Sequence, residues 1–187
     1  LEERSMRIIR GNDISMIFQE PMRSLNPVMS IADQLEESYK NENKKDIKNK
    51  IVENLISVGI NDAERVMSLF PHQLSGGMKQ RIMIAMAIAC KPKLLIADEP
   101  TTSLDVTIQK QVLDLLLKLK DDLNMSILFI THDLAVASQI SDRIVVMKSG
   151  EIVEDNYSID FFKNPKSSYS KTLLESSSYT RRNASRE

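Results

Sequence analysis

The sequence predicts an α/β fold in which a parallel sheet is interrupted by a long helical insertion. Two patterns carry this reading. From Lys93 onward, short apolar runs alternate with helical stretches, as in βαβ units whose parallel strands are covered on both faces. Before that, roughly Ser30 to Cys90 shows helical periodicity with little strand signal.

Taken in order, Ile14 to Phe18 reads as a short buried strand that runs into polar Gln19-Glu20 and then Pro21. Ser24 to Pro27 reads as a loop, and Ser30 is placed to cap a helix extending to Tyr39. Asn41 to Lys45 is a polar connection. Asp46 to Val58 follows as a helix, because Ile47, Ile51, Leu55 and Val58 form one stripe and Gly59 ends it. Asn61 to Leu69 predicts a further short helix before Pro71. Lys93 to Ala97 is a strand, and Val106 to Leu119 a helix with Ile108, Val112, Leu115, Leu116 and Leu119 on one face. Ser126 to Ile130 and Ile144 to Met147 are strands separated by a short helix, Leu134 to Ile140. Ser149-Gly150 turns the chain into Glu151 to Glu154, a hairpin, and Ser167 to Glu175 is a last helix. The organisation this predicts is 1–29 and 91–175 as a core, 30–90 as a helical subdomain, and 176–187 as a polar, Arg-rich tail expected to be disordered.

Bulk composition limits the function classes. At 187 residues, 42% hydrophobic and 27% charged, the chain has the balance of a soluble globular protein. A net charge of −1 gives no electrostatic case for nucleic acid or an anionic membrane as the main partner. The apolar run from Ile82 to Cys90 is too short to span a bilayer. The start, Leu1-Glu2-Glu3-Arg4, does not lead into the apolar segment of a signal peptide, and a first residue other than Met reads as an excerpt. The single cysteine, Cys90, excludes an internal disulfide and is expected to be a small buried hydrophobe at a helix end.

Two stretches carry chemistry. Leu74-Ser75-Gly76-Gly77-Met78-Lys79-Gln80 opens a helix whose first amides have no partner within the helix and can donate to an anion. Adjacent glycines let a backbone approach a phosphate closely, and Ser75 can add a donor. Leu94-Leu95-Ile96-Ala97-Asp98-Glu99-Pro100 is an apolar strand ending in two carboxylates. In open α/β sheets ligands sit beyond the carboxyl ends of the strands. Asp98 and Glu99 hold that place on one strand and Thr131-His132-Asp133 on the next. Asp98 suits Mg²⁺ ligation and Glu99 suits a general base or a residue positioning water. The bland alternatives are a capping pair for the acids, a turn histidine for His132 and an ordinary capped turn for the glycines. No G-x-x-x-x-G-K-[ST] loop occurs: the only glycines are Gly11, Gly59, Gly76, Gly77 and Gly150.

These motifs together resemble the nucleotide-binding domain of ATP-binding cassette (ABC) transporters. Leu74 to Gln80 is similar to the signature motif, with Met78 where Gln is commonest. Leu94 to Glu99 resembles the Walker B strand, Ser103-Leu104-Asp105 the D-loop, Thr131-His132 the switch histidine, and Gln19 the Q-loop glutamine. The resemblance covers about Ile14 to Leu174. Phe18 to Pro27 and Leu94 to Thr107 are similar to importers of dipeptides, oligopeptides and, in some members, nickel. Asn164-Pro165 and Tyr169 to Leu174 resemble their C-terminal segment less closely, and the cysteine cluster many of them carry is missing.

The resemblance implies a P-loop NTPase-like (ABC ATPase) fold lacking the N-terminal strands and the Walker A loop. It implies ATP and Mg²⁺ as ligands: Glu99 and His132 in catalysis, Asp98 and Gln19 at the metal, and Gln19, Ser75, Gly76, Gly77, Gln80 and Asp105 at the nucleotide. It further implies a second ABC ATPase subunit, transmembrane permease subunits and, indirectly, a solute-binding protein, at the cytoplasmic face of the plasma (inner) membrane. Two alternatives stay open. One is a non-catalytic partner lending its signature motif to another subunit's ATP. The other, a non-transport ABC ATPase of DNA repair, lacks the coiled coils or zinc modules such proteins insert.

Overall fold

A computed structural model describes residues 2–19, 24–39, 44–102 and 104–177. The expectations for 20–23, for most of the 41–45 connection, for Ser103 and for the tail beyond residue 177 lie outside the described residues. The chain divides into two compact units, Leu1–Ile130 and Thr131–Glu187.

The first unit is built on a parallel sheet of β1 (Ile14–Ile17), β2 (Leu94–Asp98) and β3 (Ser126–Ile130), in the order β1-β2-β3. The register aligns Ser15 with Leu95 and Ile127, and Ile17 with Ala97 and Phe129. Because strand side chains alternate faces, these rows point one way. There Ile17, Leu95 and Ala97 are buried in the main core. The opposite rows carry Met16, Ile96 and Leu128. This second face is not covered as the sequence predicted: Met16, Leu128 and Ile130 are 39%, 52% and 44% exposed. Ile96 on the same face is half-buried, so a strand that reads as fully buried, Ile127-Leu128-Phe129-Ile130, is only partly so.

Helices fill the space between β1 and β2. α1 (Glu3–Ile9) precedes β1, and α2 (Ile31–Glu37) begins at Ser30, whose hydroxyl accepts from the Asp33 amide as expected of a cap. α3 (Lys44–Ser57) buries Ile47, Ile51 and Leu55 of the expected stripe, and Val58, just past its end, is buried with them. α4 (Ala63–Met67) and a 3₁₀ turn (Pro71–Gln73) lead to α5 (Gly76–Ile88). α5 is apolar around most of its circumference, with Ile82, Met83, Ile84, Ala85 and Ile88 all buried, as a helix enclosed by others must be. α6 (Val106–Asp122) crosses from β2 to β3 with Val112, Leu115, Leu116 and Leu119 buried.

Polar side chains lock these helices. The Asn54 amide donates to the Tyr39 hydroxyl and to the Ala85 carbonyl, both at 2.8 Å, tying α3 to the end of α2 and to α5. Buried Gln34 donates to the Asn26 and Met29 carbonyls at 3.0 Å and accepts from the Asn26 amide at 2.8 Å. Arg81 on α5 donates to the Val58 carbonyl at 2.6 Å, just past α3. Gly59 has φ +80°, and a Cβ there would lie 2.6 Å from the Arg81 Nη1 atom. Glycine takes this left-handed turn without strain and leaves the guanidinium where it stands.

The second unit holds α7 (Leu134–Ile140), β4 (Arg143–Lys148), β5 (Glu151–Tyr157), α8 (Ser158–Lys163) and α9 (Ser168–Ser176). β4 pairs antiparallel with β5 across Ser149 (φ 52°) and Gly150 (φ 86°), the two left-handed residues that a tight hairpin requires. α9 runs through Ser176, one residue into the segment expected to be disordered. α1 and α8 escape sequence reading because α1 buries no residue and α8 is too short for a period. Cys90, expected to be buried, is exposed past the end of α5, where its thiol reaches the Ser38 carbonyl at 3.3 Å.

Glu154 is 6% exposed in this unit, and its carboxylate accepts from the Lys166 and Ser167 amides at 3.0 Å, seating the start of α9. Burial raises its pKa, but those amides, with Ser170 and Lys166 nearby, more than offset this and hold it below the usual carboxylate range. A depressed carboxylate stabilises the fold above its unfolded pKa and loses that contribution as pH falls through the folded one. Thermal melts are therefore expected to be flat from neutral pH to about 5 and to drop below about 4. Glu154→Gln is expected to remove much of that acid sensitivity. At the exposed sheet face, Leu128→Asn is expected to shift urea-denaturation stability by no more than ~0.5 kcal/mol while reducing binding of a hydrophobic dye. A loss of several kcal/mol would mean that this face is covered in solution.

Candidate functional site

Parallel pairing brings the carboxyl ends of β1, β2 and β3 to one edge, and the candidate residues follow directly from those ends. β1 leads through Phe18 to Gln19, β2 ends in Asp98 with Glu99 next, and β3 ends at Ile130. Glu99 has φ 43°, a left-handed conformation that costs a side-chain-bearing residue roughly 1–2 kcal/mol. Its amide donates to the Ile130 carbonyl at 3.0 Å, and its carbonyl accepts from the Thr102 amide at 3.1 Å, so both neighbours hold the kink.

The Glu99 side chain is fixed as well. Its Oε2 atom accepts from the Gln19 amide at 2.7 Å and from the Thr102 hydroxyl at 2.9 Å. Gln19 and Glu99, assigned separate roles from sequence, thus form one hydrogen-bonded pair spanning 80 residues of chain. Thr102 was not assigned a role. Its signal was its place three residues after Glu99, within reach across a single turn. Asp98, on the end of β2 opposite Ile130, is half-buried. Among the described residues no group of three or more His, Cys, Asp and Glu could hold a metal ion.

The signature stretch forms the head of α5. Ser75 is its cap, with its hydroxyl accepting from the Met78 amide at 3.3 Å. Ser75 and Gly76 are exposed, and a Cβ on Gly76 would meet nothing within 4 Å. Gln80 differs from the rest of the stretch: it is 1% exposed, and its Nε2 has no hydrogen-bond partner. The fold places that side chain inside the unit, not on the surface that Ser75 and Gly76 present. Asp105 caps α6, its carboxylate accepting from the Ile108 amide at 3.0 Å.

Thr131, His132 and Asp133 open the second unit. The Thr131 hydroxyl accepts from the Asp133 amide at 3.0 Å, and Asp133 caps α7 through the Ala135 and Val136 amides. His132 sits exposed in the middle of this turn.

A family profile described as ABC transporter matches residues 2–102, and the chain belongs to the ABC transporter family. Among curated relatives, it is 54% identical over 171 residues to the oligopeptide transport ATP-binding protein AppD of Bacillus subtilis (strain 168), covering 90% of this chain and 52% of that protein. It is 51% identical over 179 residues to the dipeptide transport ATP-binding protein DppD of Haemophilus influenzae, covering 94% and 54%. The chain spans about half the length of these relatives. A solved dimer of the ATP-binding cassette MJ0796, in a post-hydrolysis state with ADP and Pi, matches with a TM-score of 0.72 and 28% identity, over 84% of this chain and 68% of that one. The fold is thus an α/β ABC ATPase fold, with parallel strands and helices as the sequence predicted. Among the described residues no helix is long and apolar enough to cross a membrane.

The left-handed turn can be tested directly. Glu99→Gly and Glu99→Ala both delete the carboxylate, but only glycine relieves the backbone. In urea denaturation the glycine variant is expected to be the more stable of the two by about 1 kcal/mol.

Proposed function

We propose that this chain is the ATP-binding and hydrolysing portion of a peptide-importing ABC transporter. One observation supports this most: in a chain of this family, the Gln19 amide and the Thr102 hydroxyl converge on Glu99 beside Asp98. A carboxylate fixed in place at a strand end, next to a second acid, suits orientation of a water for in-line attack on a phosphoryl group.

In this reading Glu99 is the general base, or holds the attacking water, and Thr102 keeps its side chain in one rotamer. Asp98 and Gln19 would hold Mg²⁺, which when bound would neutralise charge on the phosphates. Gln19 bridges that position to Glu99, so loss of the terminal phosphate changes what the residues after β1 feel. His132 hydrogen-bonds the terminal phosphate. Ser75, Gly76 and Gly77 present amides and a hydroxyl to the nucleotide of a second subunit, with Gln80 supporting from inside and Asp105 contributing at the shared boundary. The 187 residues contain no G-x-x-x-x-G-K-[ST] loop. The residues present therefore serve the metal, the water and the partner's nucleotide.

Peptide as the solute follows from the relatives, two of which are named for oligopeptide and dipeptide transport. The partners in this reading are a second ATPase subunit, transmembrane permease subunits contacted by Gln19 and the helices after it, and, indirectly, a solute-binding protein. The working location is the cytoplasmic face of the plasma membrane.

The test is a chimera in which this chain replaces the matching residues of the Bacillus subtilis oligopeptide relative. The chimera is expected to restore peptide uptake, and Glu99→Gln in it is expected to retain ATP while lowering hydrolysis at least 100-fold. A folded chimera that binds its permease but supports no uptake would refute the reading. The purified 187-residue chain alone is expected to show no ATP turnover.

A further inference from the structure

The two glycines of the signature turn are adjacent, yet their surroundings differ. A Cβ built on Gly76 meets nothing within 4 Å, so this position is open to an approaching ligand. A Cβ on Gly77 would sit 3.2 Å from Cγ2 and 3.8 Å from Cδ1 of Ile108 on α6. The first distance is tighter than ordinary van der Waals contact. Relief by rotating Ile108 is restricted, because a β-branched side chain inside a helix has essentially one χ1 rotamer. Nor is its backbone free to move, since the Ile108 amide is bonded to the carboxylate of Asp105 at 3.0 Å. One turn further along the same two helices, Arg81 reaches Gln111 at 3.4 Å while gripping the Val58 carbonyl.

We propose that Gly77 is a positioning residue. Its missing side chain lets α5 close on Ile108 of α6, which sets the Ser75–Gly76 turn at a fixed offset from Asp105. What the seam between the two helices requires is the missing Cβ; the Gly77 amide stays available to the nucleotide. Gly76 keeps the other role, an open surface at the head of α5. The functional consequence rests on the proposed ATPase reading. The contact itself does not.

The sign of the effect separates the two glycines. With no steric conflict, alanine in place of a helical glycine stabilises, because it has higher helix propensity and less freedom to lose on folding. In thermal unfolding of the 187-residue chain, Gly76→Ala is expected to leave Tm unchanged or raised. Gly77→Ala is expected to lower it by about 2–6 °C. Ile108→Leu deletes Cγ2 while keeping side-chain volume, and combined with Gly77→Ala is expected to recover most of that loss. Ile108→Val keeps both γ carbons and is expected to recover none. A Gly77→Ala Tm at or above wild type, or a double variant no better than Gly77→Ala, would overturn the contact.

Peptide uptake by the chimera reads the functional consequence. Gly77→Ala is expected to lower it at least tenfold and the Ile108→Leu double variant to bring it back within threefold of wild type, with Ile108→Leu alone unchanged. Recovery of Tm without recovery of uptake would mean that the added methyl obstructs the nucleotide itself and would refute the positioning role. A chimera inactive before any of these substitutions would count against the ATPase reading, with the Tm series still deciding the contact.

Discussion

In-register parallel pairing of β1, β2 and β3 is the constraint on which the described site depends. Parallel strands deliver all their carboxyl ends to one side, whatever the sequence distance between them. Gln19 and Glu99 meet because Ile17 is paired with Ala97. The Glu99 amide reaches Ile130 because Asp98 is paired with that residue. A slip of one residue in either pairing would turn Ile17, Leu95 and Ala97 out of the core, so the burial that stabilises the sheet also fixes the site.

Glu99 shows stability yielding to placement. A left-handed glutamate is a poor choice for folding, and the chain holds it with hydrogen bonds from both sides. Such strain persists where the surrounding structure over-determines it, and here the hydrogen bonds come from Gln19, Thr102 and the end of β3. The same edge carries uncovered apolar surface on the second sheet face.

Much of this could be read from residues. The stripe on α3, the Ser30 cap, the order of strands and helices and the Ser149-Gly150 hairpin all appear where local chemistry puts them, since each is set by a short-range rule. The candidate acids were legible as an apolar run ending in Asp98-Glu99. What escaped depends on contacts between distant segments. Thr102 bonding Glu99, Gln80 turned inward, Gln34 saturating the Asn26–Met29 turn and Ile108 against Gly77 have no periodicity to announce them. The assumption that the parallel sheet is covered on both faces failed because apolar strand sequence records what a strand requires, not what this chain supplies.

The Asn54 and Arg81 links carry a mechanical consequence. Asn54 spans α3, the end of α2 and α5, while Arg81 bolts α5 to the end of α3 beside Gly59. Three helices joined at two points by side-chain bolts have little internal give. A load applied at the turn clamped by Gln34 would be borne by the whole helical block, and the exposed tip at Ser75 would swing with it as the far end of a stiff lever.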